Sequence, residues 1–425
     1  MSSLSKIIRN RYHWVIAVVV FLQMIVFGGI INSYSIYLIP VTEGLGISRG
    51  LYSFSLVGQY IAVTFSTMAT TFLFRRIGYR KTVCGSLGIL AVSMVLSSTC
   101  REAYLFIFSK MLFGVGYGAC HTAGAAWITK AWFHKHHGTV LGVITMGTGL
   151  GGSIFSVFLT DIMERLDWRW AHIVSAGLLV ITMLLMLLLL RDVPEQLGLK
   201  PYGDDLTHAK EHRHKRKDKL WPGISAQETQ RHPAFWMMAV CILVVCICVC
   251  GASNVIVPHL QDKGYSPMEA ARLQSVYMLA LALTKLLCGW VSEKIGGKAL
   301  GVICVGCAVV GLWMLTDLSS LVWAYMTVVV FSASLTMTSV TVPLLTESVF
   351  GTETSTSILG TILGISSLAS VVAAPITNIC YDMLGSYDPI FRVTSIINVA
   401  MIGLMLVIFW MFGKKEKEYK NSQTA

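Results

Sequence analysis

Charge is scarce in this sequence, and acid is missing from its apolar stretches altogether. Charged residues make up 13% of the 425 and hydrophobic ones 55%, with a mean hydropathy of +0.67, whereas soluble domains are about one quarter charged. A soluble fold is thereby excluded, and the chain reads as an integral membrane protein. The polar segments hold no glycine-rich phosphate loop, no His, Cys or carboxylate cluster at metal-ligand spacing, and no nucleophile beside a base. That sets aside ATP-driven pumping, metal chemistry and intramembrane catalysis. The expectation is a protein that is not an enzyme and carries no cofactor. A disulfide framework is missing as well. Cys241, Cys246, Cys248 and Cys250 share one apolar run, and Cys304 and Cys307 another, which is the placement of small packing hydrophobes.

What is present is a series of runs long enough to cross about 30 Å of hydrocarbon. They lie near residues 14–39, 51–74, 82–99, 103–128, 138–160, 171–190, 234–258, 273–291, 299–316, 321–346, 355–380 and 393–412. They predict an all-α membrane protein with twelve transmembrane helices in two six-helix halves. The halves are 1–190 and 233–413, joined by a cytoplasmic linker at 191–232 and followed by a cytoplasmic tail at 414–425. The first run is too long for a signal-peptide core and lacks a small-residue cleavage pattern, so it is expected to stay as a span.

Lysine and arginine set the orientation. With the amino terminus inside, the inner segments hold 24 of the 33 cations and the outer ones six, namely Arg49, Arg101, Arg165, Arg169, Lys263 and Arg272. The positive-inside rule then places both termini in the cytoplasm of a plasma or inner membrane. The net charge of +11 is thus a topology signal. Its cations sit in short loops beside spans, so membrane lipid headgroups are the expected contact and nucleic acid is not. The stretch His208 to Lys219, HAKEHRHKRKDK, reads as a solvated basic tether, since its lysines and arginines would repel a metal cation.

Two lysines, Lys110 and Lys285, lie within the span depth. An ammonium at the bilayer centre costs roughly 2.5 kcal/mol or more, so each is a functional candidate that is there to meet something negative. At 100° per residue, Gln274, Met278, Leu281 and Lys285 fall within about 40° of one line, giving span eight an inward stripe. Lys110, Gly114, Tyr117 and His121 share a face of span four. The eleven residues from Lys110 to His121 rise about 16 Å, too far for both to touch one small ligand. The two mark successive stations on a path. Gly114, Gly116 and Gly118 read as close helix packing.

The halves also echo each other. Arg75-Arg76-Ile77-Gly78-Tyr79-Arg80-Lys81 follows span two, and Gly289-Trp290-Val291-Ser292-Glu293-Lys294-Ile295-Gly296-Gly297-Lys298 follows span eight. A basic, glycine-turned loop at the same place in each half is what parallel repeats produce, with substrate held between them near the midplane.

The second of these loops resembles the signature of the major facilitator superfamily, G-x-x-x-(D/E)-(R/K)-x-G-x-(R/K), and the six-plus-six plan resembles that superfamily over the whole chain. The first loop departs from it, with Thr71 in place of the glycine and Arg75 in place of the acid. Lys110 to Gly118 is similar to the R-x-x-x-G-x-G motif of the fourth helix with lysine for arginine, a position that often serves structure or coupling. Gly142, Gly147, Gly149, Gly151 and Gly152 resemble the glycine-rich fifth helix without its usual proline. Tyr381 to Asp388, YDMLGSYD, resembles the Y-D-x-x-G-S-Y-D ending of monocarboxylate transporters, and Arg191 to Asp204 resembles the central linker of their bacterial relatives, including the oxalate:formate antiporter family. In both groups an arginine four residues before a glycine of span eight faces the substrate carboxylate, and Lys285 and Gly289 hold that spacing here. Lysine keeps the charge but loses the planar fork of guanidinium. Leu281 stands where animal monocarboxylate transporters place an aspartate, and Gly360 to Cys380 lacks the second cation of the oxalate antiporters.

The resemblance implies a secondary transporter of small monocarboxylates of the lactate, pyruvate or formate type, with a small organic anion as its partner and protons as the candidate coupling ion. Alternatives are organic-anion exchange of the oxalate:formate type and a membrane sensor that does not transport. Burial favours a neutral amine, so an empty site that takes up a proton together with the anion would supply coupling. The candidate substrate residues are Lys285, Lys110, Tyr117, Asn32, Tyr34, Asn254 and Ser367. His121 is the proton-coupling candidate, with packing as its alternative. Arg76, Gly78 and Arg80, with Glu293, Lys294 and Gly296, are the candidate gating loops. Tyr37, Ser366 and Ser370 are further polar groups able to line a cavity or to bond neighbouring backbone.

Overall fold

The computed structural model describes residues 12–134, 137–203 and 226–424; the basic stretch from His208 to Lys219 lies outside them. The described chain is helical apart from one isolated bridge between Phe133 and Tyr202. Twelve stretches are long and apolar enough to cross a membrane. Span one runs Tyr12–Ile31 and resumes as Tyr34–Leu45, followed by span two (Arg49–Ile77) and span three (Tyr79–Thr99). Span four runs Ala103–Cys120 and resumes as Thr122–Trp132, before spans five (His137–Arg165) and six (Trp168–Leu189). Span seven is Pro233–Asn254 with Ile256–Asp262, span eight Pro267–Ile295 and span nine Gly297–Leu315. Span ten is Leu321–Ser334, a 3-10 turn Leu335–Thr338 and Thr341–Phe350, ahead of spans eleven (Thr352–Leu384) and twelve (Asp388–Thr424).

The pairing of helices repeats with an offset of six. Span one packs on five, three on six and three on four; in the second half, seven packs on eleven, nine on twelve and nine on ten. The described chain falls into two compact units, one within Met1–Leu206 plus Gly264–Leu279, the other within Thr207–Lys263 plus Ala280–Ala425, so the boundary falls inside span eight. Glycine explains how closely some pairs approach. A Cβ on Gly151 would enter the carbonyl of Ile25, and one on Gly28 the backbone of Thr148, so spans one and five meet backbone to backbone. Gly114, Gly116 and Gly118 press likewise on Gln59, Ser86 and Ser66, as the packing reading expected.

The apolar surface is outward as well as inward. On span two Phe65, Met68 and Phe72 are exposed, and on span eight Leu279, Leu283, Leu286 and Leu287 are exposed opposite the buried Gln274, Met278 and Leu281. Such faces require lipid. Trp14, Trp170, Trp236, Trp290, Trp313 and Trp323 are exposed within a few residues of a span end, and Trp410 within a few residues of Gly413, where the apolar part of span twelve stops, which is how aromatic belts mark the two interfaces.

Spans one, four, seven and ten are the interrupted ones, and each opens a set of three consecutive helices. Their breaks fall at Asn32-Ser33, His121, Val255 and the turn through Thr338. A break inside hydrocarbon leaves carbonyls without helical donors, which must be met locally. The Gln23 amide donates to Cys120 O at 2.7 Å, and the Asn32 amide to Thr148 O at 3.2 Å. Around the break in span ten, Thr336 Oγ1 lies 3.1 Å from Thr341 Oγ1 and 3.3 Å from Cys304 Sγ. The eleven cysteines are unbridged.

The segment read as a linker begins as a docked element. The indole of Trp132 donates to Arg191 O at 3.2 Å, and the backbones of Trp132 and His134 bond that of Tyr202 at 2.9 and 3.0 Å. His13, Trp14, Phe133 and Tyr202 pack their rings around this joint. Asp192 accepts a hydrogen bond from the Arg80 backbone N at 2.6 Å, and so supplies a carboxylate at the start of span three, a helix end that favours anions. The turns after spans two and eight share one backbone geometry: Gly78 has φ 88° and ψ 157°, Gly296 φ 83° and ψ 158°. That region is open essentially to glycine alone, which makes the internal repeat a structural fact at these two residues.

Candidate functional site

Lys110 projects from the first part of span four, two turns from its start at Ala103, into a cavity of about 30 Å³ lined by residues of spans one to four. Its Nζ lies 3.3 Å from His172 Nε2. The other nitrogen, His172 Nδ1, is 2.9 Å from the Trp168 carbonyl. A carbonyl only accepts, so Nδ1 carries the proton and Nε2 offers its lone pair to the lysine. The Phe106 and Tyr37 rings stand 5.0 and 5.9 Å from the same Nζ, close enough for cation–π attraction. No carboxylate among the described residues pairs with Lys110.

The cavity wall combines Ile30, Ile31, Leu56 and Phe113 with the polar Tyr34, Tyr37 and Gln59. Gln59 is 4% exposed and Tyr37 5%. Among the described residues, Gln59 Nε2 and the Tyr37 hydroxyl have no hydrogen bond of normal geometry, although Ser175 lies close to Tyr37. The Tyr37 ring packs 4.2 Å from His172 and the Tyr34 ring 4.9 Å from Tyr52.

The structure thus brings Lys110, Tyr34 and Tyr37 together, and adds Gln59 and His172, which reading the spans missed. The signal for both was present: each is a polar side chain inside an apolar run. Asn32 is engaged in the break of span one through Thr148. Tyr117 and His121 form a separate cluster in the same unit, with rings 4.9 Å apart and Phe27 5.1 Å from Tyr117. His121 is the extended residue at which span four breaks.

In the second unit Lys285 is part-buried on span eight and makes no hydrogen bond or ion pair among the described residues. The Ser367 hydroxyl is exposed and donates to its own helix at Gly364 O, 2.7 Å away. Asn254 ends the first part of span seven. In the loop after span two, Arg76 lies 5.7 Å from the Phe72 ring, and the Arg80 guanidinium donates to Leu187 O. After span eight, Lys294 sits 3.7 Å over the Trp290 ring, and the Glu293 side chain lies outside the described set. The YDMLGSYD stretch serves as a joint: Tyr387 donates to Asn378 Oδ1 at 2.8 Å, and Asp388 pairs with Lys263 at 2.7 Å.

The profile of the Major Facilitator Superfamily matches residues 16–374 and, in a second alignment, 251–425. The chain belongs to that superfamily. This facilitator is 22% identical to Monocarboxylate transporter 13 of Bos taurus over 93% of its own length and 89% of that protein's. It is 24% identical to the Glycerol-3-phosphate transporter of Bacillus subtilis (strain 168), over 64% of its own length and 65% of that transporter's. Among solved structures, the nucleoside transporter NupG superposes with a TM-score of 0.74 at 11% identity, covering 94% of this chain and 99% of NupG. A bacterial homolog of the human lysosomal transporter Spinster, inward-facing and unoccupied, gives 0.70 at 13% identity, covering 96% and 97%. These likenesses show a major facilitator fold, twelve membrane-spanning helices in two six-helix halves, and membership of the superfamily makes the chain a membrane transporter.

Proposed function

We propose that this facilitator is a secondary transporter of small monocarboxylates that works by alternating access in a cell membrane, with both termini cytoplasmic. The observation that carries the reading is the Lys110 ammonium, held beside a small cavity with no carboxylate paired to it among the described residues. A cation kept at that depth is supported by an anion that comes and goes. Lys285 is the second cation and the proposed contact during translocation. Similarity to Monocarboxylate transporter 13 supports the same substrate class. His121 is proposed to couple protons, and the loops at Arg76, Gly78 and Arg80 and at Glu293, Lys294 and Gly296 to gate the two halves, 1–190 and 233–413.

The test is uptake of labelled lactate, pyruvate, formate and oxalate into proteoliposomes at matched concentration, with internal pH recorded. Monocarboxylates are expected to enter and oxalate is not, because Lys110 and Lys285 are proposed to meet the anion in turn, and a second carboxylate left unpaired at either in low dielectric costs several kcal/mol, enough to offset much of a micromolar binding energy. Oxalate uptake as fast as the best monocarboxylate overturns the proposal in favour of organic-anion exchange. Likeness to the Glycerol-3-phosphate transporter favours a second reading, exchange of phosphorylated organic anions, so glycerol 3-phosphate belongs in the same assay.

A further inference from the structure

We infer that the cavity beside Lys110 is a complete binding site for a carboxylate of one to three carbons, built within one unit, in which Gln59 and Tyr37 orient the anion and His172 positions the ammonium. The inference rests on the monocarboxylate reading for its ligand class and adds the site and the residues that select it. Its first support is the chemistry of the wall. The polar side chains around the cavity are the Lys110 ammonium, the Gln59 amide and the hydroxyls of Tyr34, Tyr37 and Tyr52, of which Tyr52 donates to Tyr34 O at 3.4 Å, and no carboxylate lines it. A carboxylate oxygen accepts and never donates, so a wall with a cation, several groups able to donate and no carboxylate matches an anion.

The second support is the pair of unmade bonds. Gln59 Nε2 and Tyr37 Oη are buried, border the cavity, and have no partner of normal geometry among the described residues. Buried donors are nearly always satisfied, because leaving one unmade is costly. Two such donors facing one cavity beside a cation identify where a ligand oxygen sits.

His172 acts through the lysine. Its Nδ1 proton is committed to Trp168 O, so Nε2 takes one hydrogen of the ammonium and leaves the others for the cavity. The size of the cavity sets the ligand's length. One water needs about 10–15 Å³ of such space, so the observed cavity, about 30 Å³, holds two or three heavy atoms, the size of a carboxylate group, and each further carbon must displace the apolar wall. The carbon end of the anion meets Ile30, Leu56 and Phe113.

The experiment is calorimetric titration of the purified full-length protein with sodium formate, sodium lactate and sodium chloride, with melting temperature measured on every variant. Formate and lactate are expected to bind, and Gln59→Leu and Gln59→Met each to weaken formate about tenfold without lowering the melting temperature. His172→Phe is expected to weaken formate by a similar factor, and His172→Gln, whose amide oxygen can accept from Lys110, to restore it. Wild-type affinity in both Gln59 variants, or failure of His172→Gln to rescue, overturns the assignment. So does absence of formate binding to the wild type, which would leave water as the occupant. Chloride binding as tight as formate and equally sensitive to Gln59 overturns the carboxylate assignment. Binding that depends on Gln59 in a protein that moves no monocarboxylate sinks the transport reading alone; monocarboxylate flux with an unchanged KM in the Gln59 variants sinks this inference alone.

Discussion

Lys110 and Lys285 sit on spans four and eight of the two units and are housed in different ways. Lys110 is fixed by His172, flanked by two aromatic rings and open to a cavity. Lys285 has no hydrogen bond or ion pair among the described residues, and its flanking Leu283, Leu286 and Leu287 are exposed. The first arrangement is preorganised, so binding there requires little reordering of the protein. The second leaves a long flexible side chain whose head must find its partner elsewhere. The difference separates holding an anion from passing it on.

The largest expected effect breaks that comparison if it fails. Lys285→Ala should abolish uptake while membrane expression and formate affinity stay within about threefold of wild type, and Lys285→Arg should keep part of the uptake because the charge survives. Proteoliposome flux and calorimetry on the same preparation measure both. Uptake at the wild-type rate, or loss of binding in the alanine variant, would remove the distinction between the two lysines.

A smaller effect is expected at His121. If it serves a proton path, His121→Ala should lower proton-driven accumulation by about tenfold and substrate-for-substrate exchange by no more than about twofold, since exchange never requires the empty carrier to reset. Equal loss of both returns His121 to its place in the Phe27 and Tyr117 aromatic cluster.

The smallest effect sharpens the contrast between the two repeats. Gly78→Ala and Gly296→Ala both force alanine into a glycine-only backbone region, at about 1–3 kcal/mol. At Gly78 the new methyl would also meet Asp192 Oδ2 at 2.6 Å, whereas nothing lies within 4 Å at Gly296. Gly78→Ala should therefore melt several degrees below Gly296→Ala, and Gly78→Ala combined with Asp192→Ala should recover part of the gap. Equal melting temperatures for the two single variants would mean that Asp192 moves aside freely.

Span positions are legible because hydrocarbon thickness sets a minimum run length, and every predicted run lies, to within one residue, inside an observed helix or an interrupted set of helices. The interruptions are not legible in the same way. Pro258 and Pro343 stand four residues after Asn254 and Ser339, whose carbonyls they cannot serve, and so fit the breaks of spans seven and ten, yet Pro40 and Pro375 sit inside continuous helices, and no proline lies near the break at His121. A break depends on which neighbour supplies a donor, as Gln23 does for Cys120, and hydropathy does not record that. Lys110 was visible as a misplaced charge. Gln59 and His172 were visible only as lone polar residues, since it takes the packing of span four against two and the Lys110 contact with span six to converge them. The inward stripe of span eight is the opposite case, where helical periodicity alone ordered Gln274, Met278 and Leu281 into the buried side.

The distribution of tryptophan gives the molecule an optical division of labour. Seven indoles stand at span ends toward lipid, while Trp168 is 2% exposed and its ring lies 5.7 Å from His172. Brominated lipids quench indoles by contact, so reconstitution into them would darken the outer set and leave emission from interior indoles, among them Trp132 and Trp168. Of these, Trp168 bonds the histidine that touches Lys110. The facilitator thus carries its own lamp beside the Lys110 cavity, and filling that cavity can be followed in a native membrane mimic without a label.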